Sequence, residues 1–443
     1  FNMAFEPSEG LYAGLSFVST ADLNAAVNDE GKFKELYFTA LSNLRSNKVL
    51  DAAGNATKNG MIKVIDFESS SKSESDIYSD LAASISAVLG TRSELRSGDK
   101  IPSKVYLTGN RWHKDVEKFK LKAFGMDDYN SSDVILKLNG NDYVGISLKK
   151  KTKPKADSPT LINNAFSKFI EGPQLQDVRN KLNDYRIEFF AGVIKEACLP
   201  GGPLSTLAVP TNGKSISQMN PSNRQDAKKL WDVKVIRQKS GGKTEKISLI
   251  NLKSVNDLAD NAAVIKKSGS TPAQNSFRDF VNAKLQSTGG KLNPLYSGFL
   301  EVMNQPSVKN KLADALLNRV LKLSLLDELD TWADNEFGFM LVEGVGTVDR
   351  NNNPQVSRAN VVDIHSVMIA IARLAKEDAR MELNSTKTFQ RSAAKVYFNL
   401  YKGDLPILEI ELRYKGSFTA FPQFFASMTT EFKDLLKKGM TGI

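Results

Sequence analysis

Asp133, Ser147 and Lys149 are the residues of this 443-residue chain whose types and spacing could do chemistry. They belong to the stretch 132–149, S-D-V-I-L-K-L-N-G-N-D-Y-V-G-I-S-L-K. A carboxylate is a hard oxygen donor for Mg²⁺ or Mn²⁺. Such a cation polarises a phosphate and lowers the pKa of a bound water, and a neighbouring lysine ammonium orients that water or stabilises developing negative charge. Ser147 and Lys149 are two residues apart, so on a strand they project to the same side.

The element that must position them is a β-hairpin. Val134, Leu136 and Leu138, and again Val144, Ile146 and Leu148, stand at alternate positions as two short apolar runs, and Asn139-Gly140-Asn141 between the runs is a tight-turn sequence. A three-residue loop pairing Leu138 with Asp142 places Asp133 opposite Ser147. A two-residue Asn139-Gly140 turn shifts the register by one and sends Asp133 to the other face. The same residues also fit an ordinary hairpin with a solvated lysine edge.

Asp133, followed on the partner strand by Ser147-Leu148-Lys149, resembles the core of the PD-(D/E)xK nuclease superfamily, in its Ser-x-Lys form, over roughly residues 105–170. The resemblance implies a restriction-endonuclease-like mixed sheet flanked by helices. It also implies Mg²⁺- or Mn²⁺-dependent hydrolysis of phosphodiester bonds in nucleic acid, DNA first. Asp133 would be the principal metal ligand, Lys149 would organise the attacking water, and Ser147 stands where the family pattern has its second acid. That acid is then sought elsewhere. Asp157 and Glu171 flank an expected helix over 160–170, Glu94 follows the expected helix over 76–90, and Asp115 lies on an expected helix over 112–124. On that helix Trp112, Val116, Phe119 and Ala123 form the buried stripe; Asp115 borders it, Glu117 points away and His113 occupies the opposite flank. The metal set is therefore Asp133 with Asp115 or Glu171. The alternative is a non-catalytic nucleic-acid-binding or viral assembly protein that keeps the fold without the second acid.

Lys150, Lys151, Lys153 and Lys155 continue from Lys149 as a basic run. Beside a phosphate-cutting site such a run makes salt-sensitive backbone contacts; elsewhere it is a solvated segment. Near the C-terminus Arg413, Tyr414 and Lys415, followed by Phe421 and Phe424, mix cations with aromatics as a nucleic-acid platform would. This strand-plus-aromatic ending suggests phage-encoded and restriction-type proteins.

Composition agrees with a polyanionic partner. Sixty Lys and Arg against fifty Asp and Glu leave a net charge of +10, and 41% hydrophobic residues suffice for substantial cores. One cysteine, Cys198, excludes a disulfide framework, and two histidines exclude a His-rich metal site. The beginning of the chain lacks the basic and apolar pattern of a retained signal peptide, and the helical window 361–375 is too short and charged to span a bilayer. The expected setting is cytoplasmic, in a bacterial or phage-infected cell, with no membrane partner and a homo-oligomer left open.

The expected fold class is α/β (α+β) in four regions. Residues 1–70 form a helical and β region with helices over 11–50 and a strand over 61–67. Residues 71–200 form the nuclease-like core, ending in a helix over 175–197. Residues 201–272 hold a β-hairpin around Lys239-Ser-Gly-Gly-Lys243 and a linker; Gly242-Lys243-Thr244 lacks the earlier glycine of a phosphate-binding loop, because Arg237 stands there. Residues 273–443 are mainly helical, with a hairpin over 337–349, strands over 395–400 and 405–414, and an acidic cluster at Glu328, Asp330 and Asp334.

Overall fold

A computed structural model describes residues 6–95, 100–109, 111–119, 132–139, 142–154, 160–165, 173–209, 214–250, 271–285, 294–315, 337–375, 379–390, 395–414 and 422–438. The fold is mixed α/β. The early helices are α1 (Pro7–Leu15), α2 (Thr20–Val27), α3 (Glu30–Arg45), α4 (Ala56–Ile65) and α5 (Glu74–Glu94). Strands β1 to β4 are Val49–Leu50, Lys104–Leu107, Val134–Lys137 and Tyr143–Lys151. Strands β5 to β8 are Thr160–Ala165, Ala208–Val209, Lys234–Gln238 and Thr244–Ser248. Strands β9 to β14 are Phe337–Val348, Pro354–Asp363, Ala379–Leu383, Val396–Lys402, Leu405–Tyr414 and Pro422–Met428. The chain divides into two compact units, Phe1–Pro159 with Lys322–Arg373 and Thr160–Leu321 with Leu374–Ile443.

The first unit is built on a six-stranded mixed sheet in the order β1-β2-β3-β4-β9-β10. The run β2-β3-β4 is antiparallel, β9 lies parallel to β4, and β10 returns antiparallel to β9. One face is dry. Val134, Leu136, Val144, Ile146, Leu148, Met340 and Val342 meet Leu11 of α1, Phe33 and Tyr37 of α3, and Ile77, Leu81 and Ile85 of α5 in one core. Each such side chain, fully buried, contributes about 1.5–3 kcal/mol, and together they fix the sheet against the helices. Ser73 caps α5 by accepting from the Asp76 N–H at 3.1 Å. The helix presses so closely on β9 that a Cβ on Gly344 would lie 2.1 Å from the Ala83 carbonyl oxygen.

The second unit carries a five-stranded antiparallel sheet, β11-β12-β13-β14-β5, and a smaller β6-β7-β8 sheet. The long helix Gln176–Cys198 buries Phe190, Val193 and Ile194 against Trp231, whose indole N–H donates to the Ile187 carbonyl at 2.9 Å.

Several local expectations are corrected. Residues 61–67, read as a strand, lie largely on α4, where Thr57, Met61 and Ile65 are buried at four-residue spacing. Residues 160–165, read as a helix, form β5, because β14 supplies a pairing edge far away in sequence. Helix α5 does not stop at Gly90 but continues to Glu94. The hairpin expected within 337–349 is a single strand, β9, whose partner is β10. Residues 361–363 complete β10 before the helix Ile364–Ala375 starts. Among the described residues 111–119 form mainly turns with Trp112, Val116 and Phe119 buried as the stripe requires, while the rest of that expected helix lies outside the described residues.

Candidate functional site

The hairpin adopts the three-residue loop register. The Leu138 N–H donates to the Asp142 carbonyl at 2.9 Å, and Val134 pairs with Ile146 and Leu136 with Val144. The ladder ends at Val134: the Asp133 N–H donates to the Ile146 carbonyl at 2.8 Å, so Asp133 shares Ile146 with Val134 in a bulge-like strand end and does not take the place opposite Ser147 that the register continued by one residue requires. Strand β2 steadies the corner, since the Thr108 hydroxyl donates to the Asp133 carbonyl at 3.0 Å.

Asp133 and Lys149 come together. Lys149 Nζ lies 4.0 Å from Asp133 Oδ2, with 58% of the lysine side chain and 26% of the aspartate side chain exposed. The Leu148 N–H donates to the same oxygen at 2.6 Å, and the buried Ser147 hydroxyl also bonds the carboxylate. The carboxylate is thus oriented by a backbone donor and a hydroxyl, and the ammonium reaches outward. Burial raises the Asp133 pKa; Lys149, the Leu148 N–H and Ser147 pull it down, Glu6 pushes it up, and the balance remains raised.

The residue missed from the sequence is Glu9. Its carboxyl is pushed up from the ordinary 4.5 to about 8, first by burial and then by the negative charges of Asp133 and Glu6, with Lys149 opposing. An acid on α1 therefore belongs electrostatically with Asp133 and Lys149, and at neutral pH it holds a proton. Its position follows from the helix start. Pro7 sits in the first turn, where it needs no donor, and the Ser84 hydroxyl of α5 donates to the Ser8 carbonyl at 3.1 Å. Ser8, Leu148, Lys149 and Gly344 share a small depression with Ala83, Ser84 and Ala87 of α5. The available signal was Glu6-Pro-Ser-Glu9 ahead of an apolar run, a helix start with two acids in it. Glu94 is exposed at the last residue of α5, seven residues and about 10 Å along the helix from Ala87.

The other expected ligands are placed differently. Asp115 Oδ2 accepts from the Tyr106 hydroxyl at 3.0 Å and lies 3.5 Å from His113 Nδ1, so Asp115 and His113 form a cluster with Tyr106. The Tyr106 pKa is raised by burial and by that bond to Asp115. Glu117 is exposed, and Asp157, Glu171, Glu328, Asp330 and Asp334 lie outside the described residues. Among the described residues no group of three or more His, Cys, Asp or Glu side chains is arranged to hold a metal ion.

The lysine run is divided. Lys150 Nζ lies 2.6 Å from Asp80 Oδ1 of α5, a carboxylate also approached by Lys72 at 3.9 Å. Lys151 Nζ lies 2.6 Å from Glu343 Oε1 on β9. Both acids are buried, so these two lysines neutralise charge inside the unit. Glu343, opposite Lys149 in the β4–β9 register, was also missed, although it is the one acid in the otherwise apolar β9 segment. Lys153 is exposed, and Lys155 and Lys415 lie outside the described residues. Arg413 is on β13, but its side chain is not described.

No family model, curated protein or solved structure matches this chain. No helix among the described residues is long and apolar enough to cross a membrane.

Proposed function

We propose that the chain is a metal-dependent phosphodiesterase acting on nucleic acid, DNA first, in the manner of the PD-(D/E)xK nucleases. The observation that carries the reading is the Asp133 carboxylate, oriented by the Leu148 N–H and Ser147, with the Lys149 ammonium 4.0 Å away and open to solvent. The antiparallel hairpin continued by a parallel strand supports the restriction-endonuclease-like form of the fold.

The donor set suits a hard cation, because Asp133 and Glu9 offer carboxyl oxygens and the mutual repulsion of their negative charges is what a bound cation would relieve, with loss of the Glu9 proton. Asp133, with Glu9 as the second acid, would hold Mg²⁺ or Mn²⁺. Bound there, the cation supplies Lewis-acid polarisation of the phosphate and a lowered pKa for water. Lys149 contributes a fixed positive charge at the mouth of the site, oriented to a water or a phosphate oxygen. Ser147 and the Leu148 N–H keep the Asp133 carboxylate in one orientation, so that its outward oxygen edge does not have to be ordered during reaction. The net charge of +10 favours approach of a polyanion.

Incubation of duplex DNA with Mg²⁺, and with EDTA as control, tests the reading. Metal-dependent cleavage that disappears in Asp133→Asn and Lys149→Met, with folding intact by circular dichroism, supports it. Salt-dependent binding without metal-dependent cleavage assigns the chain to the non-catalytic class.

A further inference from the structure

The second unit carries a concentration of positive charge that the Asp133 site does not use. Residues 224–248 contain eight Lys or Arg against three Asp or Glu, so this short stretch has a net charge of +5, half of the chain's +10. Of the three acids, Asp226 is buried and bound by Lys214 at 3.1 Å and by the Asn220 N–H at 3.0 Å. Glu245 is paired with Lys239 at 3.0 Å. Among the described residues no ion pair engages Lys234, Lys243 or Lys246.

The geometry presents these cations on a two-stranded ribbon. β7 and β8 pair with Lys234 opposite Ser248, Ile236 opposite Lys246 and Gln238 opposite Thr244. That places Lys234, Ile236, Gln238, Thr244 and Lys246 on one face, all exposed, while Val235 on the reverse face enters the core. β6 pairs with β7 at Lys234 and Val235, and the Ile236 N–H donates to the Leu207 carbonyl at 3.0 Å; beyond Ile236 the hairpin stands, among the described residues, as two strands alone. At its tip Lys239 and Lys243 flank Ser240, Gly241 and Gly242. The Lys239 N–H donates to the Lys243 carbonyl at 2.7 Å, and the glycines take φ of +84° and +74°, a turn that side-chain-bearing residues would strain. Ile236 is 37% exposed in the middle of the cationic face, an unusual place to leave a large apolar side chain in water.

We propose that residues 234–248 are a DNA-docking ribbon that enters the major groove of B-form duplex. Lys234, Lys243 and Lys246 would contact phosphates, and Ile236 would lie against the groove floor. Two strands about 4.8 Å apart fit a groove about 12 Å wide, and five paired residues span about 17 Å along it. The deep, narrow major groove of A-form RNA does not admit such a ribbon. This inference does not rest on the Asp133 reading, because it concerns binding and needs no metal.

The test is fluorescence anisotropy of the full chain with a labelled duplex DNA of about 25 base pairs in EDTA, at several salt concentrations. The Lys234→Ala/Lys246→Ala variant should bind at least about tenfold more weakly at about 100 mM salt. The slope of log affinity against log salt should fall by about two, one for each lost phosphate contact. Ile236→Ser, which keeps every charge, should weaken binding with the slope unchanged. Unchanged affinity and slope in the double variant, no binding of duplex DNA by the full chain, or equal binding of an RNA duplex would each overturn the proposal. Cleavage after adding Mg²⁺ to the same samples is read separately, so failure of the nuclease reading leaves this result standing.

Discussion

Lys151 Nζ lies 2.6 Å from Glu343 Oε1, and 96% of that glutamate side chain is out of water because only 4% of it is exposed. The pair ties β4 to β9, and the Lys150–Asp80 pair ties the same strand to α5. Consecutive lysines thus anchor the strand from which Lys149 reaches outward. Breaking a buried pair strands the remaining charge. Lys150→Met and Lys151→Met should each lower unfolding free energy by about 3 kcal/mol, while Lys149→Met should change it by no more than about 0.5 kcal/mol. Urea unfolding of the three variants checks the division.

Glu9 makes stability depend on pH. Its carboxyl titrates at about 8 in the fold and near 4.5 when unfolded, so between those values the folded state holds a proton that the unfolded chain has released. Stability must therefore fall as pH rises from about 4.5 to about 8 and level off above, with Asp133 adding in the same direction. The loss attributable to Glu9 is on the order of 3 kcal/mol, reduced from about 5 kcal/mol by its partial contact with solvent. Urea midpoints at pH 5 and pH 9 measure it; Glu9→Gln should remove most of the difference and be the more stable form at pH 9.

The same proton links to cation binding. If Glu9 becomes a ligand, its proton must leave. Titration calorimetry with Mn²⁺ at pH 7 in buffers of different ionisation enthalpy should report release of about one proton in the native chain and close to none in Glu9→Gln. Mg²⁺ should raise the melting temperature more at pH 8 than at pH 5.5, and should not do so in Asp133→Asn.

Gly344 sets how closely α5 approaches the sheet. A Cβ there meets the Ala83 carbonyl at 2.1 Å, and backbone on a packed helix cannot yield cheaply. Gly344→Ala should cost about 3 kcal/mol, the upper end for overpacking, and should also lower cleavage because β9 borders β4. Denaturation together with an activity assay above and below the new midpoint separates the two effects.

Local pattern was enough for the hairpin: alternation in Val134–Lys137 and Tyr143–Lys151 and the turn between them gave its strands, and the Leu138–Asp142 pairing was one of two registers the sequence allowed. The alternation of Leu408, Ile410 and Leu412 with Glu409 and Glu411 was equally readable; those glutamates pair with Lys387 and with Lys395, the latter at 3.1 Å. Non-local pairing was not readable. β5 finds β14 and β4 finds β9 across long separations, and nothing in Thr160–Ala165 announces its partner. Glu9 escaped for the same reason, since its importance comes from α1 packing near Asp133, not from neighbours in sequence. Lys150 and Lys151 looked like their exposed neighbours until Asp80 and Glu343 were placed against them.

Single-turnover cleavage of supercoiled plasmid DNA with about 5 mM Mg²⁺, comparing the native chain with Asp133→Asn, tests the central claim most directly. A carboxylate that holds the cation predicts nicked or linear product from the native chain and at least a hundredfold slower cleavage in the variant, with unfolding stability equal to the native value or above it. Equal rates in the two proteins, or no product from either at any Mg²⁺ or Mn²⁺ concentration, would contradict it.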